Sequence, residues 1–217
     1  MHDETRQRVI QAAGEVFAEC GFERATVREI CSRAGANIAA VNYHFGDKIG
    51  LYTEVLKEAV CKHQRDDAVN EAQAAGDPER ALRLFVHGMF HRMQEADRPA
   101  WYMKVMMHEL AQPTPALSEV VEHVIRPNSR VLYAIVGEIL NRPPVDETTR
   151  LCAASVIGQV VHQIHARPVL ERLWPGLKSD AETFSRIADH ITDFSLAALR
   201  EFRVPARAAK PAARRSK

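Results

Sequence analysis

The chain has 217 residues, of which 46% are hydrophobic and 26% are charged, as is ordinary for a soluble globular protein. No apolar run approaches the roughly 20 residues that span a membrane, and no signal peptide precedes the first predicted helix. This composition excludes a membrane-spanning protein. The four cysteines include no C-x-x-C pair, so we expect reduced thiols and a cytoplasmic location. The net charge is only +1, so the overall charge does not by itself indicate a polyanionic partner.

The N-terminal helices are predicted from their caps. The first helix should span residues 4–20, with an apolar face of Val9, Ala13, Val16, Phe17 and Cys20. A second helix should begin at Thr26, because Thr26 followed three residues later by Glu29 is a capping box. Gly35 should end it, since a C-cap residue takes the positive φ that glycine adopts easily. Asn37 can then cap a third helix.

These caps predict a helix-turn-helix, the motif that places its second helix in the DNA major groove. Ala39 and Ala40 are small enough to let this helix approach base edges, and Asn42 can hydrogen-bond to an adenine edge. We predict DNA contacts from Thr26, Val27, Arg28, Asn37, Ala39, Ala40 and Asn42, with Tyr43, His44 and Lys48 reaching phosphates. An ordinary packed helix pair is the alternative interpretation.

The rest of the chain predicts an all-α protein of about nine helices. Further helices are expected at residues 48–73, 78–95, 99–111, 115–140 with a break at Pro127, 147–166 and 180–202, with a short extra turn from Pro168. We expect a DNA-binding domain at 1–47, a ligand-binding and dimerisation domain at 48–202, and a basic disordered tail at 203–217. The tail is either a solvated end or an arm that adds phosphate affinity.

The last two long helices carry more apolar residues than one core needs. These residues are Val156, Ile157, Val160, Val161, Ile164, Phe184, Ile187, Ile191, Phe194, Leu196 and Leu199. Stripes of this width fit a helix pair that packs both inward and against a twofold copy as a four-helix bundle. We predict a homodimer through residues 147–166 and 180–202, with Ile191 and Phe194 on the shared face. A purely internal core is the alternative.

The middle of the chain mixes aromatic, methionine and histidine side chains, as small-molecule sites between helices do. The predicted ligand-binding residues are His87, Phe90, His91, Trp101, Met106, Met107, His108, Tyr133 and His162. Ordinary core packing is the alternative for each of them. The identity of the effector does not follow from the sequence.

Histidine pairs raise a third interpretation, a metal-dependent enzyme. His87 with His91, and His162 with His165, are spaced to share a helix face. Neither pair lies in an H-E-x-x-H motif, and the chain has no glycine-rich phosphate loop or G-x-S-x-G elbow. We therefore expect no metal, no cofactor and no catalytic residue.

Residues 5–56 resemble the N-terminal domain of TetR-family transcriptional regulators. The resemblance rests on Ala12-Ala13, Val16-Phe17, Gly21-Phe22, Thr26-Val27-Arg28-Glu29-Ile30, Ala34-Gly35, Tyr43-His44-Phe45, Asp47-Lys48 and Leu51-Tyr52. The CecR-like subgroup is similar at residues 36–45, Met106-Met107-His108-Glu109-Leu110, Pro113-Thr114-Pro115-Ala116-Leu117, Ile125-Arg126-Pro127, Gly158-Gln159 and Ala166-Arg167-Pro168-Val169-Leu170.

This resemblance implies a homodimeric regulator that binds a double-stranded, palindromic DNA operator. It also implies dimerisation through the last two long helices and release by a small-molecule effector, which would make the protein a repressor. A nonspecific DNA-binding protein is the remaining alternative. Relatives are more aromatic just before Ala166, where this chain has His162, Gln163 and His165, so its effector need not resemble theirs.

Overall fold

A computed structural model describes residues 2–61, 74, 76–93 and 101–205. Its α-helices are α1 (His2–Arg24), α2 (Val27–Ala34), α3 (Ile38–Phe45), α4 (Lys48–Cys61), α5 (Pro78–Met93), α6 (Tyr102–Ala111), α7 (Ala116–Val120), α8 (Arg126–Leu140), α9 (Glu147–His165), α10 (Arg167–Leu173) and α11 (Ala181–Phe202). The described residues form helices and turns without a strand, which confirms the all-α fold. No helix among them is long and apolar enough to cross a membrane.

Two long helices of the second core also begin at capping side chains. The side chain of Asp146 accepts from the backbone N–H groups of Thr148 and Thr149 at the start of α9. Asp180 accepts from the N–H of Thr183 at 2.8 Å at the start of α11. Each cap satisfies N–H groups that have no partner within the helix, which is why a local sequence signal suffices to place these starts.

Two elements differ from the predicted helices. The first helix runs to Arg24 instead of residue 20, with a break at Gly21, whose φ is +75°. The break predicted at Pro127 is preceded by a π-helical turn, Val121–Ile125, in which the N–H of Arg126 donates to the carbonyl of Val121. Pro127 itself lies in the first turn of α8, where its missing N–H costs least.

Several predictions lie outside the described residues. They concern the fourth helix beyond residue 61, the ends of two helices at 94–95 and 99–100, and the tail from residue 206. Among the described cysteines, Cys20, Cys31 and Cys152 are free thiols. Burial raises the pKa of Cys31 and of Cys152, so both thiols are poor nucleophiles.

Two hydrophobic cores organise the described part of the chain. The first joins α1–α4 to α6 and α7, and the ring of Tyr52 lies 4.7 Å from that of Phe17 at its centre. The second joins α5, α8, α9 and α11 around Leu82, Leu132 and Ile191. Helices α6 and α7 lie well beyond the predicted domain boundary at residue 47, yet they pack against the N-terminal helices.

A buried carboxylate fastens α4 to the α6–α7 connection. Glu109 has no exposed surface, and it accepts hydrogen bonds from the backbone N–H of Thr114 at 2.8 Å and from its hydroxyl at 3.1 Å. Burial, together with the neighbouring Glu109 carboxylate, raises the pKa of Tyr52 on α4. Because a buried polar group must be hydrogen-bonded, these partners hold the three helices in one arrangement.

Candidate nucleic-acid interface

Helix α2 is held by a cap at its start and an ion pair along its side. The Thr26 hydroxyl accepts from the N–H of Glu29 at 3.2 Å, which confirms the predicted start. The Arg33 guanidinium donates to both carboxylate oxygens of Glu19 on α1, at 2.7 and 2.6 Å. This bidentate pair lowers the pKa of Glu19 and fixes the angle between α1 and α2.

A three-residue turn joins α2 to α3. Gly35 takes the left-handed conformation (φ 59°, ψ 38°), and its N–H bonds back to the carbonyls of Cys31 and Ser32. The Asn37 side chain then accepts from the N–H of Ala40 at 2.7 Å and caps α3. This is the glycine turn of a helix-turn-helix, at the residues predicted for it.

Helix α3 has one buried and one exposed face. Val41 and Phe45 point into the first core, and Phe45 also lies under the Arg6 guanidinium, 5.7 Å from its ring centroid. Ala39 and Asn42 are exposed on the other face. This anchoring leaves the short side chains of Ala39 and Asn42 on the outer face, where they allow close approach to a base edge.

The predicted DNA-contact residues differ in their exposure to solvent. Tyr43 is 77% exposed, with its ring edge-on to that of His44, whereas Ala40 and His44 are half-buried. Ile38 is 50% exposed at the start of α3, although sequence reasoning omitted it. Its position directly after the N-cap was the available signal, because the N-terminal residues of a recognition helix are those that meet bases.

Lys48, which was predicted to reach a phosphate, forms contacts within the protein. Its Nζ donates to the carbonyls of Phe22 at 2.8 Å, Glu23 at 3.3 Å and Ala25 at 3.1 Å, and it lies 4.3 Å from the centre of the Phe22 ring. Three acceptors use all three donors of an ammonium. Lys48 therefore joins the start of α4 to the end of α1, and its phosphate contact stays a prediction.

Thr26, Val27 and Arg28 lie at the start of α2. Thr26 and Arg28 are exposed, while Val27 is half-buried against the first core. The hydroxyl of Thr26 is already used as a cap, so the exposed guanidinium of Arg28 is the group of these three best able to reach a phosphate.

The predicted ligand-binding residues are distributed over both cores and the surface. Trp101 and Met106 belong to the first core and Phe90 to the second, while His91, Met107, His108 and His162 are exposed and Tyr133 is half-buried. His87 contacts the Asp189 carboxylate at 2.9 Å, which the Arg83 guanidinium also holds at 2.7 Å. The structure therefore does not bring these nine residues together in the part of the chain it describes.

The histidine pairs do not assemble a metal centre in the described ranges. No group of three or more histidine, cysteine, aspartate and glutamate side chains is placed there to hold an ion. The one pair member with a carboxylate partner, His87, is part of the ion pair between α5 and α11.

The fold and the exposed face of α3 define a helix-turn-helix DNA-binding protein. Comparison with known families agrees: the model described as "Bacterial regulatory proteins, tetR family" matches residues 9–55. The model described as "HTH-type transcriptional dual regulator CecR, C-terminal domain" matches residues 78–199. The chain belongs to the TetR family, in its CecR-like subgroup. It is thus a DNA-binding transcriptional regulator and not an enzyme.

Individual relatives span most of the chain. The regulator BetI of Stenotrophomonas maltophilia is 26% identical and aligns with 89% of this chain and 93% of its own length. The dual regulator CecR of Shigella flexneri is 27% identical over 73% of this chain and 75% of its own. The crystal structure of FadR from Bacillus subtilis in complex with stearoyl-CoA shares the fold, with a TM-score of 0.62 and 16% identity. The match covers 88% of this chain and 97% of the FadR chain.

Proposed function

We propose that the protein is a homodimeric repressor that binds a palindromic operator and leaves it when a small effector binds. The observation that carries this proposal is the exposed face of α3, with its small residues and Asn42 opposite the buried Val41 and Phe45. Two such helices, related by a twofold axis, would enter successive major grooves. A regulator working on bacterial DNA acts in the cytoplasm.

The dimer is proposed to form through α9 and α11. Leu151 on α9 is 61% exposed, and Phe194 and Phe202 on α11 are 60% and 52% exposed. Large apolar side chains on adjoining helices mark a surface that a partner covers. Ile191, which the sequence placed on this face, is 2% exposed and belongs to the second core. The α11 helix is thus apolar on two sides, as an inward-packing member of a four-helix bundle must be.

Effector release is proposed to act through α4. This helix begins at Lys48, beside the end of α1, and its Tyr52 adjoins the buried Glu109 of α6, which accepts from Thr114 of the α6–α7 connection. Any rearrangement of that connection therefore reaches the DNA-binding helices through contacts already present. Effector and operator must weaken each other's binding by the same factor, because they favour different arrangements. The stearoyl-CoA bound to B. subtilis FadR shows that a protein of this fold holds a small molecule.

A selection for bound sequences from a random duplex pool tests the proposal. The purified, tag-free protein should enrich a palindrome, and its affinity for that duplex should exceed its affinity for a scrambled duplex by at least about a thousandfold. Enrichment of no sequence, with affinity that depends on salt alone, would favour a nonspecific DNA-binding protein instead.

A further inference from the structure

A surface groove opens between the π-helical turn, the first half of α8 and the α8–α9 connection. Its volume is about 430 Å³. Three arginines line it (Arg126, Arg130 and Arg150) together with the apolar side chains of Val121, Ile125 and Val145. A cationic rim beside an apolar wall is the arrangement that a ligand of mixed character requires.

The positive charge of this groove is largely uncompensated. Arg126 pairs with Glu122 through two hydrogen bonds, at 2.8 and 2.5 Å. Arg130 and Arg150 are exposed, and neither forms an ion pair with another described residue. The groove's lining contains no carboxylate among the described residues, although the Glu122 carboxylate beside it interacts with both Arg126 and Arg130. An anion in the groove would compete with Glu122 for these two guanidinium groups and would meet Arg150 without an ion-pair partner in the described ranges.

The apolar part of the groove is unusually open to solvent. Val145 is 71% exposed and Ile125 is 38% exposed, while Tyr133, also in the lining, is half-buried. Neighbouring large apolar side chains that face water beside charged groups are typical of ligand grooves. They would cover a short hydrocarbon tail, and the arginines would face its charged end.

The groove is connected to the DNA-binding helices. Val121 and Ile125 belong to the π-helical turn, which continues directly from α7, and α7 packs against α4. π-Helical turns occur often at functional sites, since their extra residue lets a helix change register locally. A ligand held between this turn and α9 can therefore bias the position of α4.

We infer that this groove is the effector site, and that the effector is a free amphiphilic anion with one apolar tail and a carboxylate or phosphate head group. The inference rests on the proposed function, because only a regulated repressor has an effector. It goes beyond the predicted ligand-binding residues, of which the groove includes only Tyr133.

Calorimetric titration of the full-length protein with octyl phosphate, below its critical micelle concentration, tests the inference. Inorganic phosphate supplies the head group alone and 1-octanol the tail alone. We expect octyl phosphate to bind once per chain and about tenfold or more tighter than either fragment, since only it engages both the arginines and the apolar wall.

Matched variants locate the binding. The double substitution Arg130→Gln with Arg150→Gln should weaken octyl phosphate binding about tenfold or more. Arg80→Gln, at an exposed arginine on α5 outside the groove, should leave it unchanged. All three positions are exposed, so the variants should keep the wild-type melting temperature.

Three results would overturn the inference: no binding by the wild-type protein, equal binding by the double and control variants, or inorganic phosphate binding as tightly as octyl phosphate. Binding to phosphatidylglycerol vesicles alone would also overturn it and assign the groove to a membrane surface. Operator affinity is measured separately without any probe. Loss of operator selectivity would therefore refute the proposed function without obscuring the titration.

Discussion

The indole of Trp101 lies against the backbone of Gly14, so closely that a Cβ at Gly14 would come within 2.3 Å of two ring carbons. The same indole donates from Nε1 to the side chain of Gln11 at 3.1 Å, which fixes its orientation. Glycine at this position lets the segment that leads into α6 pack directly on α1. The contact between α1 and Trp101 therefore depends on the absence of a side chain at Gly14.

Gly14→Ala should lower the free energy of unfolding by about 1–3 kcal/mol, because the added methyl group overpacks the contact with the indole. Urea denaturation at one fixed protein concentration measures the change. In a Trp101→Ala background the indole ring is absent, and Gly14→Ala should then lower the free energy of unfolding much less. Equal costs in the two backgrounds would show that the indole is not what the methyl group meets.

Ala39→Leu should weaken operator binding by about 1–3 kcal/mol, the range for one lost base contact, and leave scrambled duplex unaffected. Ala39 is exposed on α3, so a larger side chain obstructs the approach to bases without disturbing the core. Ala39→Ser adds one oxygen only and serves as the control. Fluorescence anisotropy titrations on both duplexes give the two affinities. Equal losses on operator and scrambled DNA would mean that this face does not read sequence.

Lys48→Ala should lower the free energy of unfolding by about 1–3 kcal/mol, since three carbonyls lose a charged donor. The slope of log affinity against log salt should stay as in the wild type, because the ammonium is engaged within the protein. Arg28→Ala, at an exposed arginine of α2, should instead reduce the slope by about one. A similar reduction of the slope with Lys48→Ala would support the phosphate contact predicted from the sequence.

Phe194→Glu should convert the dimer into monomers, because it places a charge on the exposed apolar face of α11. Sedimentation velocity at micromolar concentration measures the change, and circular dichroism should show that helix content is retained. Ile191→Glu, three residues earlier but in the second core, should unfold the chain instead. A wild-type monomer at this concentration contradicts the proposed assembly.

Acidification should destabilise the fold through His165. Burial lowers the pKa of this imidazole, so the unfolded chain takes up its proton at a higher pH than the folded chain does. The free energy of unfolding therefore falls as the pH drops below about 6.5 towards the folded pKa. His165→Gln should reduce this fall, measured by denaturation between about pH 7.5 and 5, and His162→Gln, at an exposed histidine, is the control for the substitution itself. A pH dependence identical in all three proteins would exclude His165 as its source.

The sequence predicted those features whose cause lies within a few residues. Thr26 and Asn37 each cap a helix through the backbone N–H group three positions ahead, so each start was readable from spacing. The buried face of α3 followed equally from the four-residue interval between Val41 and Phe45.

Features that depend on distant partners could not be predicted in this way. Lys48 meets carbonyls more than twenty positions earlier, and Trp101 meets Gln11 across most of the first core. From the sequence alone, a lysine at a helix start is as compatible with a phosphate contact as with a structural role. An aromatic residue in the middle of the chain is likewise as compatible with a ligand site as with core packing. Only their tertiary neighbours distinguish these roles.

The first core also limits how such regulators can recombine. A genetic crossover near residue 47 would place a foreign α1 and α3 beside the original Trp101, Val105 and Glu109, all of which are shaped to the N-terminal helices. The N-terminal helices and residues 101–124 should therefore be inherited, and exchanged in engineered chimeras, as one unit. New operator preferences can still arise by single substitutions on the outer face of α3, because that face takes no part in the shared packing.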